Sequence, residues 1–247
     1  MPSALQRAFF LLLCIMNILV TGGSRGIGKA IIQAFANAGY DIITCGRSES
    51  SLKALEMELR AGGFEKSFYY SAIDVSQKAE VLAFAKEVSA KFQVIDVLVN
   101  NAGVFLPGGV TEEADGTFET LINTNMASAY HITRALLPNI QHSGRAHIFN
   151  ICSTASTMAY VNGGSYCISK FAMLGFSKVL REELKTKKIK VTAVMPGATY
   201  TDSWSGSDLP PERFIDPADV ARSVFDCYSL TTAVVEELII RPQLGDI

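Results

Sequence analysis

Residues 17–28 read Asn17-Ile18-Leu19-Val20-Thr21-Gly22-Gly23-Ser24-Arg25-Gly26-Ile27-Gly28, and Lys29-Ala30-Ile31-Ile32 follows directly at helical spacing. A short apolar run that breaks into glycines and then opens a helix can bring backbone N–H groups against a pyrophosphate at the positive end of that helix. Taken alone, a glycine-rich turn is a weak signal, because tight helix–strand packing produces it too. The strand before it and the helix after it supply the context that raises it.

Outward from this turn the chain alternates short β-branched runs with longer helical stretches. Strands are expected at 17–21, 40–45, 68–73, 95–100, 146–151, 189–195 and 236–240, and helices at 28–38, 51–61, 77–91, 117–141, 165–186 and 217–228. That alternation predicts an α/β fold, a single-domain doubly wound parallel sheet of Rossmann type with about seven strands flanked by helices. Asp216-Pro217 marks a helix start, with a capping carboxylate before a proline at the first helical position. The irregular stretch Thr201–Ile215, with Gly206, Pro210 and Pro211, is expected to be a functional loop.

With 247 residues and 49% hydrophobic content the chain suits one catalytic domain, placed at 16–247. Residues 1–15 are the odd segment, Arg7 preceding an apolar run from Ala8 to Ile15 that is too short to span a bilayer. Because that run continues without a cleavage site into the first strand, and Met16 is a natural start, 1–15 is read as an N-terminal extension, non-native or dispensable, rather than an export signal. A formal charge of −2 and the lack of any Lys/Arg run argue against a nucleic-acid partner. The five cysteines, Cys14, Cys45, Cys152, Cys167 and Cys227, form neither a C-x-x-C pair nor a zinc spacing, so they are read as reduced thiols of a cytoplasmic protein, with no metal and no membrane partner.

Two further features carry chemistry. An NAD site places a carboxylate at the end of the second strand to hold the ribose 2′-hydroxyl; here that strand ends in Gly46-Arg47. Arg47, with Arg25 in the turn, suits a 2′-phosphate instead, and the implied cofactor is NADP(H). The second feature is Tyr166-Cys167-Ile168-Ser169-Lys170, which sets a phenol and an ammonium four residues apart on one helix face. A nearby cation favours the ionised form of a phenol and so suits it to general acid/base work. Such a pair is common by chance, and Tyr160, with Gly164 four residues on, has no such partner.

These pieces occur together and in order, and from Met16 to Ile247 the chain resembles a short-chain dehydrogenase/reductase. The phosphate turn corresponds to Thr21-Gly22 through Ser24, Gly26, Ile27 and Gly28; an adenine-side acid to Asp74 followed by Val75; and a fourth-strand motif to Asn100-Asn101-Ala102-Gly103. The helix asparagine corresponds to Asn125, the serine to Ser153, the Tyr/Lys pair to Tyr166 and Lys170, and the Pro-Gly after the sixth strand to Pro196-Gly197 with Thr199 and Thr201. The resemblance implies a carbonyl/alcohol oxidoreductase in which Tyr166 exchanges a proton with the substrate oxygen and Ser153 holds that oxygen. It also implies that Lys170 serves Tyr166 and the nicotinamide ribose, and that Asn125 holds a water leading to Lys170. Pro196, Gly197, Thr199 and Thr201 would grip the carboxamide.

Stretches such as Tyr166–Phe171, Pro196–Thr201 and Val235–Pro242 look more specifically like bacterial sepiapterin-reductase-type members. That implies a pterin side-chain or vicinal dicarbonyl substrate; a 3-oxoacyl thioester or a sugar alcohol is the alternative. Phe105, Tyr160 and Trp204, with Met158, are expected to make an apolar substrate cleft roofed by Thr201–Ile215, although Trp204 is equally suited to anchoring that loop. A homodimer or homotetramer through 117–141 and 165–186 is implied by the resemblance. The reading from another class, a non-catalytic NADP(H)-binding regulator, has no need of Ser153, Tyr166, Lys170 and Asn125 together.

Overall fold

The computed structural model describes residues 16–204 and 206–246. The extension 1–15, and with it Cys14, lies outside the described residues. Seven strands form one sheet: β1 (Asn17–Thr21), β2 (Asp41–Gly46), β3 (Phe68–Ala72), β4 (Val97–Asn100), β5 (His147–Ile151), β6 (Lys190–Pro196) and β7 (Glu237–Ile240). All pairings are parallel, in the order β3-β2-β1-β4-β5-β6-β7. The helices are α1 (Gly26–Asn37), α2 (Glu49–Ala61), α3 (Lys78–Lys91), α4 (Thr117–Ile122), α5 (Ser128–Gln141), α6 (Gly164–Leu184) and α7 (Pro217–Ser229).

Strand residues alternate between two cores. Ile18, Val20, Val97, Val99 and Phe149 face α1 and α7, while Leu19, Leu98, Ile148 and Val191 face α3, α5 and α6. Burial on both faces explains why these strands read as continuous apolar runs. Burying a Leu, Ile or Phe side chain contributes about 1.5–3 kcal/mol, so the two cores set the geometry of everything at the strand ends. The chain winds outward from β1 to β3, then returns to place β4 on the other side of β1. At that reversal a crevice opens at the carboxyl ends of β1 and β4, the usual ligand position in such sheets.

The expected elements are present with shifts of one or two residues at their ends, but the helix expected at 117–141 is broken. A π-helical turn, Asn123–Ala127, separates α4 from α5. Thr201–Ile215 contains two 3₁₀ turns, Asp202–Trp204 and Pro211–Arg213, and its base is closed by a bridge between Thr199 and Ile215. Asp216 caps α7, its carboxylate accepting from the Ala218 N–H at 2.8 Å with Pro217 at the first position. Among the described residues no helix is long and apolar enough to cross a membrane.

Candidate active site

The phosphate turn is built by close approach. Gly22 has φ +68°, and a Cβ there would lie 2.9 Å from the Ala102 Cα, so the turn after β1 rests directly on the segment after β4. Gly28 is equally constrained, since a Cβ would lie 2.5 Å from the Gly22 carbonyl oxygen. Asn101 locks the two segments: its Nδ2 donates to the Thr21 carbonyl at 2.9 Å and the Gly22 carbonyl at 3.0 Å. Thr21 Oγ1 in turn accepts from the backbone N–H groups of Asn101 and Ala102, both at 3.0 Å. The Asn101 side chain therefore holds the turn, and Thr21, the first residue of the turn motif, is the second half of this lock. At the start of α1, Arg25 makes no side-chain cap hydrogen bond, so no capping side chain covers the N–H groups beside Ile27. A helix start of this kind, floored by glycine, suits a pyrophosphate.

Arg47 is exposed just beyond β2. Ser24 lies beside that strand end, its hydroxyl 3.6 Å from where a Gly46 Cβ would stand. Arg25, expected to face the same phosphate, instead donates from Nη1 to Asp202 at 2.9 Å. The loop after β6 crosses the turn closely enough that Thr201 Cγ2 lies 3.1 Å from a Cβ on Gly26, which brings the opposite charges together. Asp74 is likewise engaged locally: its Oδ1 accepts from the Ser76 N–H at 2.9 Å, and its own N–H donates to Glu80 at 2.8 Å next to Val75.

Lys170 is 6% exposed, and its ammonium donates to the Ile151 carbonyl at 3.0 Å. The same nitrogen lies 5.8 Å from the Tyr166 ring centroid and 3.7 Å from where a Gly103 Cβ would stand. The π-helical turn puts the buried Asn125 against this group. Its Oδ1 accepts from the Val104 N–H at 2.8 Å, while its Nδ2 donates to the Val104 carbonyl at 3.0 Å and to Ser169 Oγ at 2.9 Å. Ser169 Oγ donates to the Tyr166 carbonyl at 2.7 Å. Ser169, inside the Tyr/Lys motif, was not singled out from sequence. Its alignment on the face toward Asn125, three residues after Tyr166, is the signal that could have found it.

Ser153 begins a 3₁₀ turn, Thr154–Ser156, that lies against α6. Its Oγ accepts from the Ala155 N–H at 3.1 Å and its N–H donates to Ser156 Oγ at 3.2 Å, so its hydroxyl proton is left for another acceptor. Gly197 donates its N–H to the Ile240 carbonyl at 2.8 Å, and the buried Thr199 donates its hydroxyl to the Gly197 carbonyl at 3.0 Å. This fixes Pro196, Gly197 and Thr199 as one rigid corner beside Thr201.

Phe105 meets Tyr166, the rings edge to face at 4.8 Å. Tyr160 lines a cleft of about 650 Å³ beside Gly164 and Cys167, and burial pushes its phenol well above the usual range. That cleft also borders Ile168 and Phe171 of α6, and neither Tyr166 nor Ser153 lines it. The Thr201–Ile215 loop is tied to the phosphate turn through Asp202. Trp204 packs on Phe214 at 5.2 Å, within its own loop. Cys45, Cys152, Cys167 and Cys227 are free and buried.

A family model described as short chain dehydrogenase matches residues 16–209. The chain is 34% identical to a sepiapterin reductase of Chlorobaculum tepidum over 241 residues, 93% of this chain and 97% of that protein. It is 33% identical to an NADP-dependent 3-hydroxy acid dehydrogenase of Salmonella typhi over 223 residues, 90% of this chain and 85% of that one. Among solved structures, an alcohol dehydrogenase from the archaeon Thermococcus sibiricus, complexed with 5-hydroxy-NADP, superposes with a TM-score of 0.86 at 27% identity, covering 94% of this chain and 99% of that one. Fold, turn and the cluster around Tyr166 agree with the match: the chain belongs to the short-chain dehydrogenase family and is an oxidoreductase.

Proposed function

We propose that this chain is an NADP(H)-dependent carbonyl reductase acting on an uncharged substrate of the dicarbonyl or pterin side-chain kind. The observation that carries the reading is the buried Lys170 ammonium, held by the Ile151 carbonyl 5.8 Å from the Tyr166 ring. The cofactor is supported by the exposed Arg47 at the end of β2, by the uncapped N–H groups of α1, and by relatives whose descriptions name NADP.

When bound, the nicotinamide cofactor supplies or receives the hydride. Tyr166 gives a proton to the substrate oxygen in reduction and takes it back in oxidation. Ser153, whose Oγ already accepts one N–H, donates its hydroxyl to that oxygen and orients it. Lys170 keeps positive charge beside the phenol, and Asn125, tied to Val104 and Ser169, holds the helix start against the Gly103 segment. Pro196, Gly197, Thr199 and Thr201 form the wall for the carboxamide.

With Glu113 engaged by Ser165 and Asp202 paired with Arg25, the segments 105–116 and 201–215 still carry Glu112, Asp115, Asp208 and Glu212 against Arg213. Such a surplus repels a carboxylate or an acyl-thioester carrier. A screen that follows NADPH oxidation with diketones, pterins, 3-oxoacyl thioesters and reducing sugars, and NADP+ reduction with hydroxy acids and sugar alcohols, tests this, with turnover expected on neutral dicarbonyls. A preference for an anionic hydroxy acid would overturn it. Association of like chains is supported by an exposed apolar stripe on α6, Ile168, Phe171 and Val179, and sedimentation of the intact protein against Phe171→Glu tests that.

A further inference from the structure

Glu113 belongs to none of the motifs above. It sits on the segment between β4 and α4, yet its carboxylate reaches the start of α6, 52 residues on. One oxygen accepts from the Ser165 backbone N–H at 2.7 Å, and the other accepts from the Ser165 hydroxyl. The first N–H groups of a helix have no partner within it. In α6 the N-cap is Gly163, which offers no side chain, and Ser165 is 2% exposed, so water does not readily serve in its place. A carboxylate also suits the positive end of the helix dipole.

The surroundings are shaped to admit it. A Cβ on Gly164 would collide with Glu113 Oε1, and one on Gly108 would lie 2.8 Å from Glu113 Cγ. Gly108 donates its N–H to the Asn162 carbonyl at 3.0 Å, closing the same seam one turn earlier. The segment that carries Glu113 also carries Phe105, whose ring meets Tyr166.

We infer that Glu113 is a positioning residue: a carboxylate borrowed from the segment after β4 caps α6 one residue before Tyr166 and locks Phe105 and Tyr166 into one unit. The inference rests on the proposed acid/base role of Tyr166. It is tested in the full chain with Glu113→Ala, Glu113→Gln and, as reference, Tyr166→Phe, using the best carbonyl from the screen. Glu113→Ala should lower kcat by about 10- to 100-fold, the scale of a small misplacement of reacting groups, with the KM for NADPH within about twofold. Glu113→Gln keeps an acceptor for the Ser165 N–H and should recover most of kcat. If Glu113→Ala is recovered unfolded, Glu113→Asp, one methylene shorter, should show the same split. Wild-type kcat in Glu113→Ala, no recovery in Glu113→Gln, or equal losses in kcat and NADPH affinity would overturn the inference. Near wild-type turnover in Tyr166→Phe would instead remove the reading beneath it.

Discussion

Arg25 and Asp202 are joined across 2.9 Å, which ties the phosphate turn to the loop after β6 although the two lie 177 residues apart in sequence. Both side chains are about two-thirds exposed, so the pair contributes about 0.2–1 kcal/mol. Asp202→Asn releases the guanidinium and removes a negative charge near the cofactor. The KM for NADPH should fall by roughly 1.5- to 5-fold at low salt, and the difference should vanish at high ionic strength. A rise in KM would show that the pair helps to hold the cofactor.

Cofactor choice should rest chiefly on Arg47, since Arg25 is shared with Asp202. A hydrogen bond to a charged group contributes about 1.5–3 kcal/mol, so NADPH should be preferred over NADH by roughly 10- to 100-fold. Gly46→Asp with Arg47→Ala installs an acceptor for the ribose hydroxyl and deletes the phosphate partner. The space exists, as a Cβ on Gly46 meets nothing nearer than 3.6 Å. Steady-state kinetics should show the preference reversed through KM, with kcat little changed.

Tyr166→Phe removes one hydroxyl and keeps the edge-to-face contact with Phe105 at 4.8 Å. Turnover should fall by about 10²- to 10⁴-fold, the usual contribution of a positioned proton donor. NADPH binding, followed by quenching of the single Trp204, should be unaltered.

His147 should govern stability in acid. Its ring is fully buried, stacked on Phe149 at 3.9 Å, with Nε2 paired to Thr192 Oγ1 at 2.7 Å. Burial, with a smaller push from Lys190, drives the imidazole down to about 2 from 6.5. The fold refuses a proton that the unfolded chain accepts, so this contribution is whole above pH 6.5 and is lost as pH falls below it. The loss approaches about 1.4 kcal/mol per pH unit. His147→Gln should flatten the acid limb of a denaturation series by about one proton, and an unchanged slope would contradict the assignment.

Trp204 and Phe214, 5.2 Å apart, should act as the internal anchor of their loop. Trp204→Ala should speed proteolysis between residues 204 and 213 and shift substrate KM by severalfold. Trp204→Phe should restore both. A slowed cofactor step with an intact loop would place the ring elsewhere.

Much of this was legible in the sequence because its causes are local. The turn at Gly22–Gly28 announces itself through glycines that no side chain could replace, and α7 through Asp216-Pro217, whose capping carboxylate lies two residues from the N–H that donates to it. The features that escaped depend on partners far along the chain. The π-helical turn at Asn125 follows from Ser169, 44 residues away, and from Val104 across the cleft. Arg25 reads as a phosphate ligand, and its contact with Asp202 shows only once the fold brings that loop beside the turn. Nor does anything near Glu113 in sequence mark Ser165 as its partner.

The bridge between Thr199 and Ile215 bears on how such an enzyme changes over time. Tyr200 donates its N–H to the Ile215 carbonyl at 2.9 Å and Ile215 donates to the Ala198 carbonyl at 2.9 Å, so both ends of the excursion are fastened to the sheet frame. Ring closure is therefore settled at the base, and doubling the number of residues between these ends would add only about 0.6 kcal/mol of closure entropy. Insertions and deletions there can reshape the surface beside the phosphate turn while β6, Pro196 and α6 stay as they are, which makes this span the natural place for a lineage to acquire new substrates without refounding its fold.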